Sequence, residues 1–286
     1  MVYLTRYLYE ITRVELSLQW ALLHRQRDEA LFWAYEAYHS GFQERIFRFL
    51  WQFYQDLYHE RSPHLAPILL HLYSLYDDTD DTLLGSWVLH LLASPISLAH
   101  LMRGDTVDID METPKNILLS ADLLLSPEEC LVYQTVTAIE HVPPRKWLAH
   151  LCRFPQKNIV PLLPNTSREE RRQLDQERAF LAGSKSTDHG PDATDPPLEY
   201  NLYNHWLYYA SRTPIWEERI RDYHGVIDDD NMTVVFDDDD DLEGFYSTWG
   251  MEPDEQSQET NIKFMIRTVD QEMLWRTFCK LYGGGW

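Results

Sequence analysis

Cysteine is scarce in this chain. There are three in 286 residues, Cys130, Cys152 and Cys279, odd in number and far apart. No C-x-x-C pair occurs, and three scattered cysteines fit a reducing intracellular compartment better than a disulfide scaffold. Glycine is thin as well, at 11 residues. Neither G-x-x-x-x-G-K-[ST] nor G-x-G-x-x-G occurs, so no phosphate-cradling loop is written locally, and G-x-S-x-G is missing too. An enzyme whose site is assembled from distant residues would leave no such trace.

Long apolar runs are also missing. None approaches the roughly 18–20 residues of a membrane span. The opening "VYLTRYLYEITRVE" carries charges throughout, unlike a secretory leader. These absences predict a soluble, intracellular protein with no membrane attachment.

Basic residues are the third shortage. Twenty-five Lys and Arg face 46 Asp and Glu, a net charge of −21. Residues 1–182 hold 17 bases and 24 acids, net −7, and the rest of the chain carries −14. A phosphate backbone repels such a chain, so direct nucleic-acid binding is not expected. The densest cationic stretch, "SREERRQL", is interleaved with Glu169, Glu170 and Asp175.

Aromatic residues are abundant: 10 Trp, 17 Tyr and 11 Phe within a hydrophobic fraction of 44%. That is ample for a packed core and unlike a disordered chain. The apolar positions recur at helical spacing. In "EITRVELSLQWALLHRQ", Ile11, Val14, Leu18, Ala21 and Leu22 share a face. "EALFWAYEAYHS" follows, with Asp28 as a candidate N-cap and Gly41 as its stop. "QERIFRFLWQFYQDLYH" places Ile46, Phe49, Leu50, Phe53 and Leu57 on one face. Its aromatics Phe47, Trp51, Tyr54 and Tyr58 fall on others, so this helix is expected to meet neighbours on more than one side.

Three Ser-Pro pairs, Ser62-Pro63, Ser94-Pro95 and Ser126-Pro127, recur at intervals of 32 residues. Serine caps a helix and proline suits its first position. The interval therefore raises a two-helix repeat, against coincidence in an ordinary helical domain. Ser126 with Glu129 makes a capping-box pattern. The expected fold class is mainly α, a multi-helix bundle or irregular α-repeat array with a small C-terminal β-hairpin. The expected domains are a helical body at 1–182, a linker or long loop at 183–197 ("GSKSTDHGPDATDPP"), and an acidic module at 198–286. In that module Thr213-Pro214 starts a helix closed by Gly225. Val226–Ile227 pairs with Val234–Val235 as a hairpin, and "FMIRTVDQEMLWRTFCKLYG" reads as an amphipathic helix.

Two acidic groups are the candidate metal ligands. In "VVFDDDDDLEGF", Asp237, Asp239 and Asp241 cluster. Neither register fits an EF-hand, because one puts Gly250 where the bidentate glutamate belongs and the other puts Leu242 at the glycine position. In "VDIDMETPK", Asp108 and Asp110 alternate, as in the metal–nucleotide sites of some glycosyltransferases, a spacing common by chance. "HERSPH" fails the zinc helix, because His59 and His64 are five apart with Pro63 between them. No cofactor is expected. The aromatics are the positive signal. Trp33, Trp51, Tyr54, Trp206 and Trp286 are the candidate anchors for a protein partner, since Trp and Tyr are enriched at such surfaces.

"ELSLQWALLHRQRDEALFWAYEAYHSGF" (15–42) resembles a helical hairpin of uncharacterised proteins of nucleocytoplasmic large DNA viruses. "ASRTPIWEERIRDYHG" with "VVFDDDDDLEGFYSTWGMEPDEQ" is similar to their C-terminal parts. The same hairpin resembles, around Asp28, Ala30, Leu31 and Trp33, the C-terminal helical domain of clamp-loader-like genome-maintenance ATPases. That family's phosphate loop is missing, so what the resemblance implies is a helical oligomerisation or docking surface. If the chain is viral, the host cytoplasm or the virion is implied as its location. The expected function is a non-enzymatic interaction or structural protein whose partner presents a basic surface. The alternatives are a metal-dependent enzyme using the clustered carboxylates, and a replication-associated accessory module.

Overall fold

Helix α1 (Ile11–Leu23) follows the 3.6-residue apolar pattern, and helix α2 (Arg27–Tyr38) has buried side chains on every face, Glu29 and Glu36 among them. The computed structural model describes residues 3–76, 80–97, 119–134, 154, 158–159, 205–249 and 272–273. The fold is mainly helical, with a small antiparallel hairpin towards the C-terminus. The chain divides into two compact units.

The first unit contains α1 and α2, then α3 (Gln43–Leu57), α4 (Leu65–Ser74), α5 (Thr82–Ala93) and α6 (Pro127–Gln134). Helix α2 is its centre. Every residue from Glu29 to Tyr38 is buried, and the helix packs against α3, α5 and α6. Helix α5 is buried without a break from Leu83 to Leu91 and also packs against α4. A helix apolar all round belongs inside, and each large side chain it buries contributes roughly 1.5–3 kcal/mol.

The helix ends differ in part from the sequence-based expectation. Helix α2 begins one residue before Asp28, so Asp28 and Glu29 sit in its first turn and oppose the positive end of the helix dipole instead of capping it. Gly41 does follow the helix, at φ 91°, a conformation costly for any other residue. The three Ser-Pro pairs occupy three unlike positions, which removes the basis for a repeat. Ser126 starts α6 with a closed capping box: the Glu129 amide donates to Ser126 Oγ at 3.3 Å, and the Ser126 amide donates to Glu129 Oε2 at 3.1 Å. Ser94 instead ends α5, held extended at φ −100°, ψ 147° because Pro95 follows it. Ser62 lies in the turn before α4, and its hydroxyl has no hydrogen-bond partner.

The end of α5 is closed from far away in sequence. Arg25, itself at φ 58°, donates to the carbonyl oxygens of Leu91 (2.8 Å), Leu92 (2.5 Å) and Ser94. A guanidinium there satisfies the orphan carbonyls and opposes the negative end of the dipole. Also in this unit, strand β1 (Asn158–Ile159) pairs in parallel with β4 (Glu272–Met273). Glu272 and Met273 are therefore extended, where periodicity predicts a helix. The remainder of that predicted helix lies outside the described residues, as does the predicted linker.

The second unit contains residues 205–249 and, at the other end of the chain, residues 3–11, which the sequence reading placed in the helical body. Residues 3–11 fold back on themselves. Leu4 bridges Glu10, the Thr5 amide donates to Tyr9 O at 2.7 Å, and Leu8 turns at φ 61°. Leu4 through Tyr9 are all buried, and Trp216 Nε1 donates to Thr5 O at 3.0 Å. The remaining elements are α7 (Trp206–Ala210), α8 (Pro214–Asp222), strands β2 (Val226–Asp228) and β3 (Thr233–Val235), and α9 (Asp239–Trp249).

The hairpin has the expected register, Val226 opposite Val235 and Ile227 opposite Val234. Its loop is built by Asp228. One oxygen accepts from the amides of Asp230 and Asn231, and the other accepts from Asn231 Nδ2 at 2.7 Å. After α8 the left-handed residue is His224 (φ 55°), not Gly225. Glycine is needed at 225 for space, because a Cβ there would lie 2.6 Å from Ile220 Cγ2.

Candidate functional site

The acidic stretch is structural. Asp238 Oδ1 accepts from the Asp241 amide at 2.9 Å, and Asp239, Asp240 and Asp241 fill the first turn of α9. Carboxylates at this end satisfy orphan amides and oppose the dipole. Asp237 to Asp240 are exposed, and Asp241 turns to His224 Nδ1 at 3.1 Å. Among the described residues no group of three or more His, Cys, Asp or Glu could hold a metal. Asp239 and Asp241 thus lie in the first turn of α9 with Asp237 in the bend before it, and among the described residues they form no such ligand group. Asp108 and Asp110 lie outside the described residues, as does Trp286.

The buried centre of the first unit gathers side chains of catalytic type. Tyr35 Oη lies 3.2 Å from Cys130 Sγ, and His39 Nε2 lies 3.6 Å from Asp81 Oδ2. Burial decides their chemistry. Cys130 is fully buried, and desolvation pushes its thiol up to about 12. A neutral, enclosed thiol is not a nucleophile. This cluster is core, stacked between Tyr133 and His39 on either side of Tyr35.

Three of the predicted anchors are also core. Trp33, Tyr54 and Trp206 are 0%, 0% and 3% exposed, so none offers a surface. The reason is packing on several sides. Trp33 sits on the all-buried α2, with its Nε1 donating to Glu29 at 3.3 Å. The Tyr54 hydroxyl turns towards His59 Nδ1 and the Ser62 carbonyl. Trp206 packs edge-on to Trp216.

Trp51 is different. It is half-buried and lines an open groove of about 200 Å³ on the first unit. Glu44, Phe47, Arg48 and Trp51 recur at three- and four-residue steps on one stripe of α3. Leu70 and Tyr73 come from α4, one turn apart, and Trp87 comes from α5. The rings pack on one another, with Phe47 and Trp87 (3% and 2% exposed) as the buried floor of the groove. Phe47 lies 5.3 Å from Tyr73 and 5.5 Å from Trp87, and Trp51 lies 6.3 Å from Trp87 at 52°. Tyr73 stacks on Tyr76 at 4°.

The mouth is polar. Arg48 bonds Glu44 Oε1 at 2.5 Å, with both side chains about three quarters exposed. Arg45 is engaged elsewhere, donating through two nitrogens to Glu15 at 2.6 and 2.9 Å. At the end of α4, Tyr73 (44%) and Leu75 (52%) extend the apolar surface into solvent. Tyr73, Leu70 and Trp87 were not among the predicted anchors. Their only sequence signal is the i, i+3 spacing of Leu70 and Tyr73, which any buried face would also show.

No helix among the described residues is long and apolar enough to cross a membrane. Comparison with known proteins finds no matching family model, no matching curated protein and no matching solved structure.

Proposed function

We propose that the chain is a non-enzymatic protein-interaction module whose docking surface is the groove between α3, α4 and α5. The observation that carries this reading is the aromatic groove itself, with Tyr73 and Leu75 exposed beside it. Exposed apolar side chains beside a charged rim are what protein interfaces use, and Tyr and Trp are their usual anchors; here Tyr73 and Leu75 are exposed and Trp51 is half-buried over a buried floor of Phe47 and Trp87. The volume supports the same reading. About 200 Å³ suits one large side chain, whereas small-molecule and cofactor sites run to roughly 300–1,000 Å³. The inert Cys130 and the exposed, non-convergent carboxylates of α9 give an enzyme reading no equivalent support.

The test compares two tagged proteins purified from cells that normally express the chain, the parent and a Tyr73→Asp, Leu75→Asp variant. Tyr73→Asp gives up the contacts with Phe47 and Tyr76, so unfolding curves are recorded for both and the comparison is made where each is fully folded. The reading predicts a partner, identified by quantitative mass spectrometry, that the parent retains and the variant loses. An unchanged set of bound proteins would overturn it.

A further inference from the structure

We propose that the exposed face of the β2–β3 hairpin is a second docking surface, for an extended basic segment of a partner protein that sets an apolar side chain between lysines or arginines. It lies on the second unit, goes beyond the groove reading and stands or falls independently of it. Three observations support it.

The first is an exposed apolar pair. Val226 and Val235 lie directly opposite each other, 62% and 53% exposed, and Val226 is the most exposed large apolar side chain among the described residues. Strand alternation sets this pair on the outer face, while Val234 is buried on the inner one.

The second is an open edge. Among the described residues β2 pairs with β3 alone, and β3 is the strand that α7 packs against. An extended segment can lie along the free side of β2, with main-chain hydrogen bonds for affinity and side chains for specificity.

The third is charge, and it is local. Residues 205–249 hold 12 Asp and Glu against three Arg, net −9 with histidine neutral. Arg212 is bonded to Asp229, and Arg219 is enclosed between Trp216 and Trp249. The acids bracket the valines. Asp229 and Asp230 stand exposed in the loop at one end of the hairpin. At the other end Asp237 and Asp238 follow β3, and the contact of His224 with Asp241 holds the start of α9 beside the start of β2. A second copy of the chain would bring the same negative field to this edge and be repelled. A basic segment relieves the repulsion among the carboxylates and covers the valines in one step.

The experiment uses the full chain and three short synthetic peptides. One carries valine between lysines, the second has serine for the valine, and the third has glutamates for the lysines. Affinity is read by NMR titration, and location by the methyl resonances of Val226 and Val235. The valine–lysine peptide is expected to bind about tenfold tighter than the serine peptide, a difference of ~1.4 kcal/mol. The glutamate peptide should not bind, and added salt should weaken the basic peptide several-fold. Val226→Thr, Val235→Thr keeps the branched shape and should lose most of the binding. Asp230→Asn, Asp237→Asn removes an exposed carboxylate at each end of the hairpin and should weaken binding several-fold. The Ile227 and Val234 resonances report whether the hairpin is intact in both variants.

Equal affinity for the serine or glutamate peptide, stationary Val226 and Val235 methyls, or indifference to either variant overturns the assignment. The acids would then serve only to guard the strand edge. If the threonine variant loosens the hairpin, the asparagine variant and the peptide series still decide. Tyr73→Asp, Leu75→Asp, which tests the groove, should leave this binding unchanged, so the two readings fail separately.

Discussion

The Tyr35 hydroxyl donates a 2.7 Å hydrogen bond to the carbonyl oxygen of Asp81. That bond ties the middle of α2 to the residue preceding α5. It is made inside the buried cluster of Cys130, His39 and Asp81. Gly85, one turn into α5, leaves the space: a Cβ there would lie 2.7 Å from Tyr35 Oη and 2.2 Å from Leu125 Cδ2.

Removing the hydroxyl should therefore destabilise the first unit. Tyr35→Phe is expected to cost about 0.5–1.5 kcal/mol through the lost hydrogen bond. Gly85→Ala is expected to cost about 1–3 kcal/mol through overpacking. Urea unfolding of both variants checks this. An unchanged midpoint for Tyr35→Phe would show that the bond contributes nothing net.

Asp56 makes stability depend on pH. It is 4% exposed on α3, and burial raises its carboxyl to about 7, opposed by a hydrogen bond from Gln52 at 2.9 Å. The unfolded chain loses this proton near pH 4. Between about 4 and 7 the folded state holds a proton that the unfolded state lacks, so this group lowers stability as pH rises, by up to about 1.4 kcal/mol per unit. Asp56→Asn keeps an acceptor for Gln52 and removes the slope. The variant should match the parent near pH 4 and exceed it at pH 8, as read from unfolding midpoints across that range.

Arg219 is held between two indoles in the second unit. Its guanidinium carbon is 3.8 Å from the Trp249 centroid and 4.5 Å from the Trp216 centroid, with the residue 6% exposed. Arg219→Met keeps the stem and removes the charge, and is expected to cost about 1–2 kcal/mol. Arg219→Lys should fall between, since an ammonium cannot lie flat against two rings. Chemical unfolding followed by tryptophan fluorescence measures both. Equal stability of the methionine variant would assign the contact to packing alone.

His224 should titrate above an ordinary histidine. Its Nδ1 donates to Asp241 Oδ2 at 3.1 Å, and the charges of Asp241, Asp237 and Asp238 add to the shift. A raised value means that the contact contributes below the unfolded pKa and fades as pH rises through the folded one. Titration of the imidazole resonances should show the raised midpoint in the parent and a return towards the ordinary value in Asp241→Asn. An identical midpoint in the two proteins would rule the pair out as the cause.

Local physics made much of this architecture legible from sequence. The helices follow from periodicity, the α6 capping box from Ser126 and Glu129, and the hairpin register from alternating Val and Ile around an Asp-rich turn. Each depends on residues within a few positions of one another, so a short window contains the whole cause. The candidate site was only half legible for the same reason. Trp33 and Trp51 both sit in aromatic helices, and their sequence surroundings are alike. One is enclosed by α3, α5 and α6 around α2, and the other faces an opening between α3 and α4.

Composition, charge and periodicity by themselves determined a mainly helical, acidic, aromatic-rich chain with a C-terminal hairpin. Tertiary structure alone decided which aromatics became core and which became groove, because helical spacing names a face and not its neighbour. It also supplied the partner for the end of α5, since Arg25 reaches the Leu91 carbonyl from 66 residues away. It decided, finally, that residues 3–11 fold with 205–249, through Trp216 and Thr5. Such pairings are set by which buried polar groups and apolar faces find each other in space, and sequence distance carries no record of that.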